Sequence, residues 1–378
     1  MSWSIFIAFG KSTAANLNNP LVPAGIQPFT GRRFFVLFMI DEVVNSVTLV
    51  VFMRVIRFIL IAFASLIAAL LIAWAAGALY FDLPAPSLMR GIASLVWAVG
   101  AVTLAVFGRL RGRILVLLGF AGITCWWLTL RPTQDADWEP QVAMLAYATR
   151  QGDRFTVHNI RNFEYRSATD FTPRYDIRDF DLANLRAADL FINYWGFPCI
   201  VHPFASFDFG PQGHLCFSIE IRPRRGQEYS TLAGLYRQFT LIYVAADERD
   251  VVRLRTNYKH EDVYLYRLRF SPDEARVRFT EYIDVLNKLY TRPTWYNVIT
   301  HNCTTAIWAL HPSAQQAQWD WRILINGFLD KMLYERGVLA GDLPFEELRA
   351  QALINRRAQE AGDAPDFSEK IRVGLAGF

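Results

Sequence analysis

The stretch IVHPFASFDFGPQGHLCFSIEIR, residues 200–222, decides the fold of the larger part of this chain. Two runs of strand-forming residues flank the sequence GPQG, whose glycines and proline indicate a tight turn, so the stretch predicts a β-hairpin. Because the side chains of a strand alternate between two sides, a slip of one residue would turn a whole apolar face outward. The register therefore places the following apolar residues on one face: Ala205, Phe207, Phe209, Leu215, Phe217, Ile219 and Ile221.

The opposite face of this hairpin is polar, apart from Phe204. It carries His202, Ser206, Asp208, Cys216, Ser218, Glu220 and Arg222. The register puts His202 roughly opposite Glu220, and a carboxylate beside a histidine fixes its tautomer and makes it a better base. The alternative is structural, with His202 a satisfied core residue and Glu220 paired with Arg222 or Arg224 on a solvated face.

Short aromatic runs surround the hairpin and predict further strands, among them RFTVHNIRNFEYR (154–166), FTLIYVA (239–245) and VYLYRLRF (263–270). The period then changes to that of a helix in SPDEARVRFTEYIDVLNKLYTR (271–292), with Ser271 as its N-cap. Strands followed by helices indicate an α+β domain. We place this domain at residues 131–345 and a helical tail at residues 346–378.

A second stretch, TWYNVITHNCTTAIWALHP at residues 294–312, places Cys303 where a short helix begins. Free N–H groups at the start of a helix favour a thiolate, so Cys303 is a candidate nucleophile, although a lone cysteine is more often a small core residue. Asn302 precedes it, and His301 is too close in sequence to reach its sulfur but could line the site. Cys199 and Cys216 are too far apart in the hairpin register to form a disulfide, so we predict free thiols.

Residues 54–130 are nearly all apolar and contain three segments long enough to cross a bilayer. Arginines are concentrated before the first segment and between the second and third, which predicts that these ends are cytoplasmic and that the α+β domain lies in the periplasm. Residues 1–53 stay unassigned. They include FFVLFMIDEVVNSVTLVVFM (34–53), an apolar run in which Asp41 and Glu42 oppose membrane insertion.

Several function classes are disfavoured by the composition. The net charge of +4 is spread over membrane flanks, an RPRR run at residues 222–225 and the tail, without the basic face that nucleic-acid binding requires. The sequence has no spacing typical of a metal site and no glycine-rich phosphate loop, so we expect neither a metal nor a cofactor.

A resemblance to a known family follows from a series of motifs in order. These motifs are HNIRNFEYRSATDFTPRY, DLFINYWG, VHPFASFDF, FSIEIRPRRGQEYS, YVAADERDVVRLRTNY, EDVYLYRL and YNVITHNCTT. They resemble the Lnb N-terminal periplasmic domain family, which includes a bacterial lipoprotein N-acyltransferase. The resemblance implies a permuted papain-like domain, similar to NlpC/P60 enzymes, with Cys303 as nucleophile, His202 as base and Glu220 as polar partner. The transferase is expected to have its spans after this domain, whereas here they precede it.

Residues and resemblance together predict a thiol acyltransferase or hydrolase in the bacterial inner membrane, with phospholipid and possibly a bacterial lipoprotein as partners. Cys303 would form an acyl-enzyme and His202 would activate the acceptor. Asn302, Ser206, Arg222 and His301 are expected to line the site or bind substrate. The alternatives are an amidase or peptidase of the NlpC/P60 type acting on cell-wall peptides, and a non-catalytic envelope protein.

Overall fold

The computed structural model describes residues 32–196, 199–309, 319–323 and 325–378, with side chains from Thr48 onward except at residues 308 and 309. The chain divides into two compact units, Met1–Ala68 and Ala69–Phe378. In the first unit, the described residues belong to a helix whose apolar side chains are largely exposed. The side chains of Asp41 and Glu42, whose charges we predict to oppose membrane insertion, lie outside the described residues.

Three helices precede the domain: α1 (Arg32–Asp82), α2 (Ser87–Phe107) and α3 (Arg109–Thr129). Within the described residues, Thr48–Asp82, α2 and α3 are long and apolar enough to cross a membrane. Most of their large apolar side chains are exposed, as expected for helices that face lipid tails rather than water. Three helices that could cross a membrane, by length and composition, are thus present where three spans are predicted.

The remainder of the second unit contains short strands and helices. The strands are β1 (Tyr147–Gln151), β2 (Arg154–Arg161), β3 (Glu164–Tyr165), β4 (Phe171–Thr172), β5 (Tyr175–Asp181), β6 (Ala187–Tyr194), β7 (Val201–Asp208), β8 (His214–Arg222), β9 (Thr240–Ala246), β10 (Asp262–Arg267) and β11 (Thr294–Trp295). The helices are α4 (Glu248–Arg253), α5 (Pro272–Thr291), α6 (Cys303–Ala309), α7 (Leu329–Glu335), α8 (Phe345–Ala352), α9 (Asn355–Ala361) and α10 (Phe367–Lys370).

Nine of the strands in the described part of the chain form one mixed sheet. Its main order is β1-β2-β9-β8-β7-β6-β10, with β5 paired to β2 and β11 paired to β9. The pairing of β2 with β9 is parallel, and the other pairings of this sheet are antiparallel. Helices pack against the strands, which confirms the predicted α+β class.

The predicted hairpin is β7 and β8, joined by a turn in which Gly210 and Gly213 have φ angles of 57° and 82°. Those positive angles favour glycine, which explains the GPQG sequence. One face of the hairpin packs on α5 in a core that includes Phe207, Phe217 and Phe279. The predicted register is confirmed, because Phe204 pairs with Ser218 and Ala205 with Phe217.

The other face of the hairpin is also covered, rather than open to solvent. Phe204 and Cys216 pack there in a second core with residues from β9, α4 and the C-terminal helices. From residues 346–378, the predicted helical tail, Ile354, Phe367 and Ile371 are fully or almost fully buried in this core. The sheet is therefore enclosed between two helical layers, and polar residues on this face must find partners inside the protein.

Candidate functional site

Cys303 is the first residue of α6, as predicted, and Asn302 caps this helix. The backbone N–H of Thr305 donates to Oδ1 of Asn302 at 2.9 Å, and the backbone N–H of Asn302 donates to the Thr305 hydroxyl at 2.9 Å. This reciprocal pair satisfies donors that the first turn of a helix leaves free. The Asn-Cys-Thr-Thr sequence thereby fixes the position of the Cys303 thiol at the start of the helix.

A cavity of about 360 Å³ brings the three predicted catalytic residues together. Cys303, His202 and Glu220 all line it, and so does Asn302. The first residues of β7 and three consecutive residues of β8, Ile219 to Ile221, line it, so the cavity lies at the end of the hairpin that is far from its turn. Residues about 100 positions apart in the chain thus meet at the edge of the hairpin.

Ser218 connects His202 to Glu220. Nε2 of His202 lies 2.8 Å from the Ser218 hydroxyl, and that hydroxyl donates to Oε1 of Glu220 at 2.8 Å. In the described residues, no direct hydrogen bond joins His202 and Glu220. The predicted direct contact between His202 and Glu220 is therefore replaced by a chain of three residues. Ser218, which lies on the same face of β8 as Glu220, bonds both side chains.

This chain determines the tautomer of His202. A hydroxyl has one proton, and the Ser218 proton is committed to Glu220, whose carboxylate can only accept while it is ionised. The Ser218 oxygen must then accept a hydrogen bond from Nε2–H of His202. Nδ1 of the neutral ring therefore carries the free lone pair, which makes it the basic atom of the site.

The surroundings of this chain keep Glu220 ionised and His202 neutral. Burial alone would raise the pKa of Glu220, but the guanidinium groups of Arg161 and Arg255 lower it to about 2. Arg255 lies 3.2 Å from Oε1 of Glu220, so this partner replaces the Arg222 or Arg224 considered from the sequence. Burial, together with Arg255, lowers the pKa of His202 to about 3. At neutral pH the site contains a carboxylate and a neutral imidazole.

Cys303 is a thiol at neutral pH. Burial raises its pKa to about 11, although the Thr304 hydroxyl and the backbone N–H groups of Cys303 and Thr304 act in the opposite direction. The expectation that the helix start would produce a thiolate is thus wrong for this state of the protein. Burial disfavours the thiolate by removing its hydration, and this effect is larger than the stabilisation that the N–H groups at the helix start provide.

Asn326 is a site residue that sequence reasoning missed. Its side-chain amide donates to the Val201 carbonyl at 2.8 Å and to the Thr304 hydroxyl at 2.7 Å, and its Oδ1 accepts from the Val201 N–H at 2.9 Å. Val201 precedes His202, and Thr304 follows Cys303. Asn326 therefore holds the base and the nucleophile in a fixed relative position, and it lines the cavity itself.

Asn193 is a second residue that the sequence did not indicate. It pairs with His202 between β6 and β7, it lines the cavity, and its side-chain amide donates to Glu261 at 2.8 Å. Its Oδ1 is buried without a partner among the described residues. A free acceptor at this position can bind a donor from a substrate or water.

Three predicted lining residues lie outside the cavity. Ser206 bonds Glu248 at 2.5 Å in the second core, four residues along β7 from His202. Arg222 donates to the carbonyls of Val142 and Ala143 and stacks on Trp138. His301 is exposed and bonds the neighbouring Thr300. The prediction is corrected for Ser206 and Arg222 because the polar face extends along the whole hairpin, whereas the cavity occupies only its end. It is corrected for His301 because that side chain is exposed and does not line the cavity.

A comparison with protein families identifies this part of the chain. Residues 171–327 match the family model described as Lnb N-terminal periplasmic domain. The predicted resemblance is confirmed over this segment, which contains Cys303, His202, Glu220 and Asn326. Comparisons with curated proteins and with solved structures gave no match. Residues 171–327 are thus similar to a periplasmic domain, and the helices that precede them are long and apolar enough to cross a membrane, which fits a membrane protein with a periplasmic domain.

The domain also contains a buried group of potential metal ligands. In the part of the chain that the structure describes, ligand atoms of Asp189, His214 and Glu248 lie within 4.8 Å of one another. Arg372 bonds both carboxylates, at 2.7 and 2.5 Å, and Arg267 lies 2.6 Å from Asp189. Two arginines balance the two carboxylates, so the cluster lacks the excess negative charge that favours a divalent cation.

One loop of the domain, residues 223–239, connects the cavity to the end of α1. Tyr236 stacks on Phe81 with ring centroids 5.0 Å apart, and the side-chain amide of Gln238 donates to Asp82. The same loop contributes Tyr229 and Thr231 to the cavity. The cavity is therefore held beside the domain-side end of the first span.

Proposed function

We propose that this protein is a membrane-anchored thiol acyltransferase or hydrolase that acts on lipid or lipoprotein acyl groups at the periplasmic face of the inner membrane. The observation that carries the proposal is the shared cavity of Cys303, His202 and Glu220, in which Ser218 leaves Nδ1 of His202 free to act as a base. The chain order, with the histidine strand before the cysteine helix, supports a permuted papain-like arrangement.

The proposed reaction begins with a neutral thiol. Nδ1 of His202 takes the thiol proton while Sγ of Cys303 bonds to the ester carbonyl carbon. Backbone N–H groups of Cys303 and Thr304, which contact the sulfur, would donate to the oxyanion. The C–O bond then breaks, and the imidazolium returns its proton to the departing alcohol, which leaves a thioester. An amine or water attacks this thioester, gives its proton to His202, and releases the thiol.

Two features support a lipid substrate. The cavity wall is mainly apolar, with Val201, Ile219 and Ile221 among its residues. Leu232 and Ile299 are 64% and 54% exposed near this cavity, in segments joined by a hydrogen bond from Val298 N–H to the Gly234 carbonyl. Exposed apolar side chains next to the end of a span are suited to contact with lipid.

A second candidate function is cleavage of an amide bond in a peptide. A larger groove of about 950 Å³ adjoins the cavity and shares Trp195, Lys259 and Glu261 with it. Its other lining residues include both acidic and basic groups, such as Asp330 and Arg349, together with aromatic rings. A groove of this composition suits a peptide, either as the substrate or as the amine acceptor.

The proposal is tested by the intact mass of the full-length protein after incubation with phosphatidylethanolamine in detergent. We expect a fatty-acyl adduct that neutral hydroxylamine removes. Cys303→Ala should lose this adduct, and Cys199→Ala should retain it, because the Cys199 side chain is exposed and does not line the cavity. Cleavage of cell-wall peptides without an acyl adduct would favour the amidase. If the folded protein does neither, it is a non-catalytic envelope protein.

A further inference from the structure

A separate cavity of about 420 Å³ lies where the spans meet the domain. Its walls come from the end of α1, the loop before α2 and the start of α2, the residues after α3, the domain loop 223–239, and single residues of β9 and β11. All of these elements belong to the second compact unit. The ends of membrane-spanning helices lie at the level of the lipid headgroups, so this cavity opens at that level.

Four arginines line this cavity: Arg90, Arg131, Arg224 and Arg237. The only carboxylate among its lining residues is that of Asp82, so the formal charge of the lining is 4 − 1 = +3. Asp82 accepts from neutral donors, namely the Trp127 indole, the Gln238 amide and the backbone N–H of Arg237. No ion pair joins it to an arginine side chain in the described chain.

The polar groups of the cavity are incompletely satisfied. Nε of Arg90 and Nε of Arg237 are buried without a hydrogen-bond partner among the described residues. The hydroxyl of Thr240 is likewise unpartnered, and Thr240 is 3% exposed. The guanidinium groups of Arg131 and Arg224 are exposed and have no protein partner within the described ranges. Unpaired donors and excess positive charge together favour an anionic ligand.

We propose that this cavity binds the phosphate of a glycerophospholipid from the leaflet on the domain side. Guanidinium groups match phosphate geometry, and basic pockets between spans are suited to lipid headgroups. Trp138 and Trp295, which also line the cavity, are residues typical of the membrane interface. No residue lines both this cavity and that of Cys303, so the inference does not rest on the proposed thiol chemistry.

The test is retention of phosphatidylglycerol by the full-length protein in detergent, measured by native mass spectrometry. We expect the double variant Arg131→Gln/Arg224→Gln to retain this lipid roughly 10-fold less than the unmodified protein, because two exposed charges near the membrane surface are removed. Cys303→Ala should retain it unchanged. Arg111→Gln is the matched control, since it removes an exposed arginine from the opposite ends of the spans.

Two further ligands separate lipid binding from other sources of the signal. Diacylglycerol with the same acyl chains tests the need for the phosphate, and glycerol 3-phosphate tests a soluble source. Equal retention of phosphatidylglycerol by the double variant and the unmodified protein, or equal retention of diacylglycerol, overturns the proposal. So does binding of glycerol 3-phosphate that phosphatidylglycerol cannot displace. If the double variant has a lower melting temperature in lipid-free detergent, the two single variants replace it.

Discussion

Ser218 determines which ring nitrogen of His202 is free to act as a base. The hairpin register predicts that His202 and Glu220 share a face and an end of the strands, and this is what the structure shows. The register does not predict the intervening hydroxyl, because two residues on one face of a strand can interact only if their side-chain rotamers turn toward each other. The register does not predict the ion-pair partner of Glu220 either, because Arg255 lies 35 residues away in a different element.

Ser218→Ala should reduce acyl-adduct formation by about 10-fold or more, because Nε2–H loses its acceptor and the ring no longer favours the tautomer with a free Nδ1. The rate of adduct formation by mass spectrometry measures this effect. Ser206→Ala is the matched control: it removes another buried hydroxyl from the same hairpin, outside the cavity. Equal rates in the two variants would contradict the proposed role of Ser218.

Acid stability provides a second test at the scale of one residue. The pKa of His202 is about 3 in the folded protein and about 6.5 when it is unfolded. Between these values the unfolded chain binds a proton that the folded protein does not, so stability is complete above about pH 6.5 and falls as the pH decreases toward 3.

At pH 5, above the range in which Glu220 titrates, the loss should be about 1–2 kcal/mol. We expect the melting temperature to fall less between pH 7.5 and pH 5 in His202→Asn than in the unmodified protein. His158→Asn is the control, because it removes a histidine outside the cavity. The same fall in all three proteins would mean that His202 is not the group that titrates.

At the scale of elements, the described interactions that join β7 to α6 depend strongly on Asn326. This residue satisfies both backbone groups of Val201. The sequence around it, INGF, has no pattern that points to the site. Helix starts and strand alternation are local signals, whereas a side chain that joins two distant elements is determined only by the final packing.

Asn326→Ala should destabilise the protein by about 2–4 kcal/mol, because three hydrogen bonds are lost and buried backbone groups are left unpaired. The melting temperature measures this loss, and the alkylation rate of Cys303 relative to Cys199 reports whether the cavity has opened. Asn326→Asp keeps an acceptor for the Val201 N–H but cannot donate, so we expect an intermediate effect. Unchanged alkylation in Asn326→Ala would show that the nucleophile is positioned by other contacts.

Other elements show which features of secondary structure the sequence predicts and which it does not. The bounds of β8 and the capping of α5 by Ser271 are as predicted, because alternation and capping act over a few residues. β6 was not identified as a strand, although its first seven residues are buried. It lacks alternation because both of its faces are covered, and a run of this kind cannot be distinguished from a buried helix by period alone.

At the scale of the whole molecule, the position of the domain at the membrane depends on a close contact with α1. A Cβ atom at Gly77 would lie 1.9 Å from the Tyr236 hydroxyl, so this glycine makes room for the ring that stacks on Phe81. Tyr236 belongs to the loop that lines the Cys303 cavity. A change in a membrane helix should therefore affect the candidate site.

Gly77→Ala should displace Tyr236, lower the melting temperature by an amount equivalent to about 1–3 kcal/mol, and reduce acyl-adduct formation from phospholipid in bilayers. Gly100→Ala is the matched control, since a Cβ there has open space around it. The measurements are thermal unfolding in detergent and the adduct assay in nanodiscs. Full activity of Gly77→Ala in nanodiscs would show that the candidate site does not depend on the contact between Tyr236 and α1.

The buried Arg372 has a consequence for how the protein is made. It bonds Asp189, which precedes it by 183 residues, and Glu248, which precedes it by 124. Translation delivers the apolar helices before the domain, and it delivers Glu248 124 residues before Arg372. Until Arg372 is made, Arg267 can compensate Asp189, but Glu248 lacks the arginine that bonds it in the folded protein. We therefore expect the buried cluster to be completed only late in the synthesis of the chain, after the apolar helices have been made.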